Sequence, residues 1–168
     1  MRYHNITYPD MNNGDGLRVV LWLSGCSHRC KNCQNQQTWD VDSGIVFDET
    51  AKKELFNELK KDYISGVTFS GGDPLHKNNL DELLSLIIKI KEKFPSKNIW
   101  LYTGFTWEEI FESAYKTRQQ IVSKCDVLVD GRYVDELQDI SAHWVGSTNQ
   151  RVIDVQKSLK ENKIVLYK

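Results

Sequence analysis

Apolar and polar positions change their period several times along the chain, and each change marks an element. Leu17-Arg18-Val19-Val20-Leu21-Trp22-Leu23 is a β-favouring run between Gly16 and Gly25 and predicts a first buried strand. From Asp48 to Asp62, helix formers carry Leu55, Leu59 and Tyr63 at a spacing of four, which predicts a helix. Gly66-Val67-Thr68-Phe69-Ser70 reads as a short strand that stops at the turn sequence Gly71-Gly72-Asp73-Pro74. Asn79 to Phe94 is the clearest helix: Leu80, Leu83, Leu84 and Ile87 share a face, and Asn79 with Glu82 forms a capping signal. Asn98 to Thr103 predicts another strand. Thr106-Trp107-Glu108-Glu109 is a capping box opening a helix towards Lys124, and Asp126 to Val129 is a strand ending at Asp130-Gly131. A polar, irregular stretch continues to Gln150, and Lys163 to Tyr167 reads as a closing strand.

This alternation predicts an α/β fold with a mainly parallel sheet. In such folds, ligands collect at the C-terminal ends of the strands. The segment from Cys26 to Cys33, the Gly71–Pro74 turn, Thr103-Gly104 and Asp130-Gly131 all follow predicted strands, so they are expected to share one rim. A complete eight-stranded barrel takes roughly 250 residues. With 168 residues the chain is expected to form an open, partial (βα) barrel. No repeat, low-complexity tract or linker divides it, so residues 1–168 are read as a single domain.

Composition narrows the class of function by exclusion. Lys plus Arg is 22 against 23 Asp plus Glu, a net charge of -1, which gives no reason to expect nucleic acid or an anionic membrane as partner. No apolar run approaches the ~20 residues that span a bilayer. Met1-Arg2-Tyr3-His4-Asn5 runs into polar residues, not the apolar core of a secretory leader. A cytoplasmic protein is expected. The cysteines agree: three are bunched and Cys125 lies far along the chain, which is no disulfide framework.

The chemistry is concentrated in Cys26-Ser27-His28-Arg29-Cys30-Lys31-Asn32-Cys33. Three thiolates from one loop can close around a metal centre while leaving one coordination position without a protein ligand. One reading is a zinc site, with Cys26, Cys30 and Cys33 joined by His28 or Cys125. Zinc ribbons and fingers, however, offer two separated ligand pairs, and this chain has no second C-x2-C and no H-x3-H. His28 lies between two ligands, where a tight loop makes simultaneous ligation awkward. The other reading is an iron–sulfur cluster with one iron lacking a cysteine.

The C-x3-C-x2-C motif after the first strand, with a Gly-Gly-acidic-Pro turn after the next, resembles the radical S-adenosylmethionine (radical SAM) superfamily. The resemblance implies a 4Fe-4S cluster on Cys26, Cys30 and Cys33, with SAM bound through its amino and carboxylate groups at the fourth iron. It implies further that an electron from the cluster cleaves SAM to methionine and a 5′-deoxyadenosyl radical. Gly71, Gly72 and Asp73 match the motif that holds the SAM amine, with Asp73 where many members have Glu. Asn32 stands where many members have an aromatic residue. Since Asn cannot stack, adenine recognition is expected from backbone atoms around Asn32, Cys33 and Gln34.

Further matches point to one branch. Asp15-Gly16-Leu17-Arg18, Thr38-Trp39, Tyr102-Thr103-Gly104, Val129-Asp130-Gly131-Arg132 and Gly146-Ser147-Thr148-Asn149-Gln150-Arg151-Val152-Ile153-Asp154 resemble the activating proteins of anaerobic (class III) ribonucleotide reductases. The partner implied is the reductase large subunit, on which a glycyl radical is generated, with a low-potential electron donor such as flavodoxin. Hydrogen abstraction would be done by the cofactor, and no side-chain general acid or base is required. A small open site also suits a protruding peptide loop better than a metabolite. Activators of other glycyl-radical enzymes (the pyruvate formate-lyase type), small-molecule radical SAM enzymes such as those of deazapurine biosynthesis, and a non-catalytic zinc module remain alternatives. Thr103 and Asp130 are candidate SAM-carboxylate or ribose contacts at the rim, although Asp130 with Arg132 also reads as a solvated acid–base pair. Arg151 is assigned to either the partner or the cofactor. Cys125 is expected to be a buried small hydrophobe.

Overall fold

A computed structural model describes residues 1–168. Seven strands form one sheet: β1 (Arg2–Asp10), β2 (Arg18–Leu23), β3 (Ile45–Val46), β4 (Gly66–Gly71), β5 (Asn98–Tyr102), β6 (Val127–Asp130) and β7 (Arg151–Asp154). The helices are α1 (Glu49–Leu59), α2 (Leu80–Lys93), α3 (Trp107–Glu112), α4 (Lys116–Ser123) and α5 (Val155–Glu161). The strand order is β3-β1-β2-β4-β5-β6-β7. The centre, β2-β4-β5-β6, is parallel, while β1 and β3 on one flank and β7 on the other are antiparallel. The α/β class is as expected, and the mainly parallel sheet is a parallel centre framed by antiparallel edges.

The two faces of the sheet differ because strand side chains alternate. Val19, Leu21, Leu23, Val67, Phe69, Ile99 and Leu101 join Leu55, Leu59, Leu83, Ile87 and Ile90 of the helices in one core. Each such fully buried side chain contributes roughly 1.5–3 kcal/mol. The opposite face carries Arg18, Trp22, Thr68, Ser70, Trp100 and Tyr102, and no helix packs across it. Arg18 is fully buried there. Its guanidinium donates to Thr68 Oγ1, Asn98 Oδ1 and the carbonyls of Asp15, Val67 and Asn98, and lies over the Trp100 ring. Burial pulls its pKa down to about 10.

Several expectations are corrected. The first residues form β1, whose register slips between Tyr3 and Asn5 and again between Thr7 and Asp10, so no clean period of two is visible. The helix expected from Thr106 to Lys124 is two helices. Its capping box is formed, but Ser113 turns extended, its hydroxyl accepts from Tyr115 N–H, and Gln119 caps the Phe111 carbonyl. Asn79 does not cap α2; its amide donates to the carbonyls of Ser24 and Asp73 instead. The closing strand contributes only an isolated bridge, Ile153 to Leu166, while the polar stretch runs into β7.

Candidate active site

The cysteine loop leaves the C-terminal end of β2 and is clasped at its base. Gly25 N–H donates to the Thr38 carbonyl at 2.7 Å, and Cys26 N–H to the Trp39 carbonyl at 3.0 Å. Within the loop, Cys33 N–H donates to the Cys30 carbonyl (3.2 Å) and Asn35 N–H to Cys33 Sγ (3.4 Å). Arg29 and Asn32 both take φ of 54°, the left-handed region. Asn tolerates that conformation far better than a bulky ring does, which gives Asn32 a local reason. Its side-chain amide donates to Asp135 Oδ2 at 2.7 Å.

Cys26, Cys30 and Cys33 are free thiols, each partly accessible. Burial pushes the Cys26 thiol up to about 11 and raises that of Cys30, so metal binding there displaces protons. Of the two candidate fourth zinc ligands, Cys125 is held apart and His28 has one ring nitrogen engaged. Cys125 is fully buried in the connection between α4 and β6, its thiol donating to the Ile121 carbonyl, and burial raises its pKa strongly. His28 Nε2 is bonded to Asp73 Oδ2 at 2.5 Å, with its ring edge-on to Phe105. The donor set that remains is three thiols from one loop, which suits a cluster with one iron lacking a protein ligand.

Asp73 is the hub of this rim. Only 1% exposed, its carboxylate accepts from Leu75 N–H at Oδ1 (2.8 Å), from Gly104 N–H at Oδ2 (3.1 Å), and from Thr103 Oγ1 at both oxygens (2.9 and 3.0 Å). With His28 added, one carboxylate ties together the cysteine loop, its own turn and the end of β5. Thr103 is therefore engaged with Asp73 in this structure. Gly71 has φ of +106°, and a Cβ there would sit 2.5 Å from the Leu23 backbone; one on Gly72 would sit 2.6 Å from the Gly25 carbonyl oxygen. The pair lets the turn lie directly against the start of the cysteine loop.

Asp130, expected as a cofactor contact, is taken up structurally. It is 1% exposed, accepts from Trp107 N–H (2.7 Å) and pairs with Arg151 (2.6 and 3.0 Å). Asp130 and, secondarily, Glu108 hold the Arg151 guanidinium above its ordinary range. Arg132 pairs with Glu109. The Ser147–Arg151 stretch knits the same corner: Gln150 Oε1 accepts from Gly146 and Ser147 N–H, its amide donates to the Gly131 carbonyl, and Asn149 donates to the Arg132 carbonyl.

Over the uncovered face of the sheet lies a cavity of about 670 Å³. Trp22, Ser70 and Tyr102 form its floor, Cys33, Gln34 and Asn35 one wall, and residues 138–146 with Tyr133 another. Thus Cys33 and Gln34 reach the cavity, while Gly71, Gly72, Asp73 and Thr103 do not line it. Sequence reasoning did not single out His28 as a rim contact, Tyr102 as a cavity residue, or the 138–146 wall. The Tyr102 hydroxyl is buried and without a hydrogen-bond partner.

The description "4Fe-4S single cluster domain" matches residues 12–153. Anaerobic ribonucleoside-triphosphate reductase-activating proteins match along nearly the whole chain. That of Haemophilus influenzae is 40% identical over 146 residues, covering 85% of this chain and 92% of the relative. The chain belongs to this reductase-activating family. The Escherichia coli K12 member is 40% identical over 154 residues (90% of this chain, 97% of the relative), and the phage T4 member 40% over 152 (90% and 93%). The match to the cluster domain takes in the cysteine loop, the hub at Asp73, the Asp130–Arg151 corner and most of the cavity lining. No helix of this reductase-activating family member is long and apolar enough to cross a membrane.

Proposed function

We propose that the chain activates an anaerobic ribonucleoside-triphosphate reductase by generating a glycyl radical on its large subunit, as a radical SAM enzyme built on an open partial barrel. The observation that carries this reading is the set of three thiols in one loop at the end of β2, with Cys125 buried elsewhere. Cys26, Cys30 and Cys33 would hold a 4Fe-4S cluster, as the matched domain description supports. Bound there with SAM, such a cluster supplies the electron that yields methionine and a 5′-deoxyadenosyl radical able to take a Cα hydrogen.

The chain's own residues bind, order and shield. Asn35 N–H donates to the Cys33 sulfur, an interaction that tunes cluster potentials. Backbone atoms around Asn32, Cys33 and Gln34, and the Gly71-Gly72 turn, are the candidate SAM contacts. Asp73 positions them by keeping the cysteine loop in register with that turn, and accepts from an ammonium directly only when His28 releases Oδ2. Thr103 acts through Asp73, and Asp130 through the β6–β7 corner. A low-potential donor such as flavodoxin would supply the electron, and free clustered thiols suit a cytoplasmic, reducing setting.

The test is anaerobic reconstitution followed by reaction with reductant, SAM and the reductase large subunit. About four irons and four sulfides per chain are expected, with methionine, 5′-deoxyadenosine and an electron paramagnetic resonance (EPR) doublet on the partner that narrows when glycine is α-deuterated. Cys26→Ala, Cys30→Ala or Cys33→Ala should each abolish the intact cluster, and Cys125→Ala should leave it. Activation of a pyruvate formate-lyase-type protein with the reductase EPR-silent would redirect the assignment. Turnover of a free metabolite alone would overturn it.

A further inference from the structure

Arg118, on α4, belongs to none of the ties described so far. Its Nε donates to the Leu75 carbonyl at 3.0 Å and its Nη1 to Ser113 Oγ at 3.3 Å. The guanidinium lies 4.1 Å from the centroid of the Phe105 ring and 4.7 Å from that of Tyr115. Phe105 in turn meets the His28 ring edge-on, 4.5 Å between centroids, so a single aromatic ring separates this cation from the cysteine loop. None of these residues lines the cavity. The other cations of the rim are differently placed. Lys31, Arg132 and Arg151 are each paired with a carboxylate. Arg29 and Lys77 stand in solvent, where their fields are screened. Arg118 is half-buried, and its hydrogen-bond partners are a carbonyl and a hydroxyl, neither of which neutralises it. Burial lowers its pKa and the charge of Asp73 opposes the fall, yet a guanidinium stays protonated throughout.

We propose that Arg118 tunes the redox centre held by Cys26, Cys30 and Cys33, its fixed positive charge raising the cluster's reduction potential across the Phe105 ring. The inference rests on the 4Fe-4S reading above and adds a residue that sets the energy of the electron held there. Reduction adds one electron, and no proton, to a centre ringed by three thiolates, in a loop that His28 bonds to the buried Asp73 carboxylate. Net charge around a cluster is one of the main levers on its potential, and a cation close by favours the more negative, reduced form. The ring matters because a charge acting through apolar material is screened less than one acting through water. The bonds to Leu75 and Ser113 matter because they fix the guanidinium on the face of that ring. Neutral donors would serve the Leu75 carbonyl and the Ser113 hydroxyl equally well. What arginine adds at this position is an unneutralised charge.

The test is an EPR-monitored redox titration of the reconstituted protein without SAM, with melting of the cluster-free protein measured alongside. In Arg118→Gln the reduced-to-oxidised ratio at a fixed poise should fall about three- to tenfold, a shift of roughly 30–60 mV to lower potential at about 59 mV per decade. Arg118→Lys keeps the charge and should stay within about twofold of the wild-type ratio, whatever its melting temperature. Ser113→Asp leaves Arg118 in place but sets a carboxylate against its guanidinium, cancelling its field at the loop, and should shift the potential in the same direction. Ser113→Asn, the neutral counterpart, should not. This second pair decides the matter if Arg118→Gln fails to retain its cluster. An unchanged potential in both Arg118→Gln and Ser113→Asp would leave Arg118 a structural clip and overturn the proposal. Equal shifts in Arg118→Lys and Arg118→Gln would overturn it too, since geometry and not charge would then be responsible. A wild-type protein that assembles no 4Fe-4S cluster would overturn the cluster reading and this inference together, a failure that iron and sulfide analysis reveals before any titration.

Discussion

Replacing Asp73 by Ala separates two roles that the sequence alone does not distinguish. If Asp73 served only to accept a hydrogen bond from a bound ammonium, the variant would fold normally, keep its cluster, and lose about 1.5–3 kcal/mol of SAM affinity, the worth of one charge-assisted bond. The structure gives a different expectation. The carboxylate is buried and receives bonds from Leu75 N–H, Gly104 N–H, the Thr103 hydroxyl and His28. Alanine leaves two backbone N–H groups and an imidazole without their acceptor in a buried site. Leaving buried donors without an acceptor costs about 1–3 kcal/mol each, so a loss of about 3–5 kcal/mol is expected for the set. For a chain of this length each kcal/mol moves the melting temperature by about 2–4 °C, so a fall of roughly 6–20 °C is expected. The assay is thermal and urea unfolding of the cluster-free protein under strictly reducing conditions, where no cofactor contact contributes. Asp73→Asn keeps the shape but turns an NH2 towards at least one N–H donor, and should fall between wild type and Ala. His28→Ala removes one bond of the set and should cost about 1–3 kcal/mol. An Asp73→Ala protein melting within about 2 °C of wild type would refute the hub, and with it the view that this residue sets the cysteine loop.

Three further outcomes follow from the same geometry. Arg151→Met strands the buried Asp130 carboxylate and should destabilise by about 3 kcal/mol in urea unfolding, whereas Glu108→Gln, at the exposed end of the network, should cost under about 1 kcal/mol. Gly72→Ala drives a Cβ to within 2.6 Å of the Gly25 carbonyl oxygen and should either lower the melting temperature by several degrees or, if the loop yields, reduce iron incorporation on reconstitution; a variant normal in both would contradict the close approach. In the cluster-free protein, alkylation at pH 8 followed by mass spectrometry should leave Cys125 unmodified until unfolding and label Cys26 slowly, because burial holds its thiol near 11 and little thiolate forms.

The legible part of the fold is the part where local pattern and tertiary role coincide. The strands at β2, β4, β5 and β6 carry apolar runs because helices cover one of their faces and Trp100, Val127, Val129 and their neighbours pack on the other. β1 was not legible: its bulges break the alternation, and only pairing with β2 shows that Tyr3 and Ile6 face inwards. The break at Ser113 was hidden for a similar reason, since the bonds that make it, from Gln119 and Arg118, come from the next helix.

For the site, the sequence by itself determined the candidate thiols and the shared rim. Cysteine spacing is a local property of one loop, and strand order places the loops that follow parallel strands on one edge. Tertiary structure alone decided what each rim residue is free to do. Asp73, Thr103 and Asp130 look alike in sequence, as polar residues just after strands. Burial and the arrival of His28, Gly104 and Arg151 from distant segments turn all three into internal ties. The converse holds for Tyr102, which reads as one more aromatic in a strand. Whether its hydroxyl finds a partner depends on what the fold sets beside it, and here the fold sets a cavity.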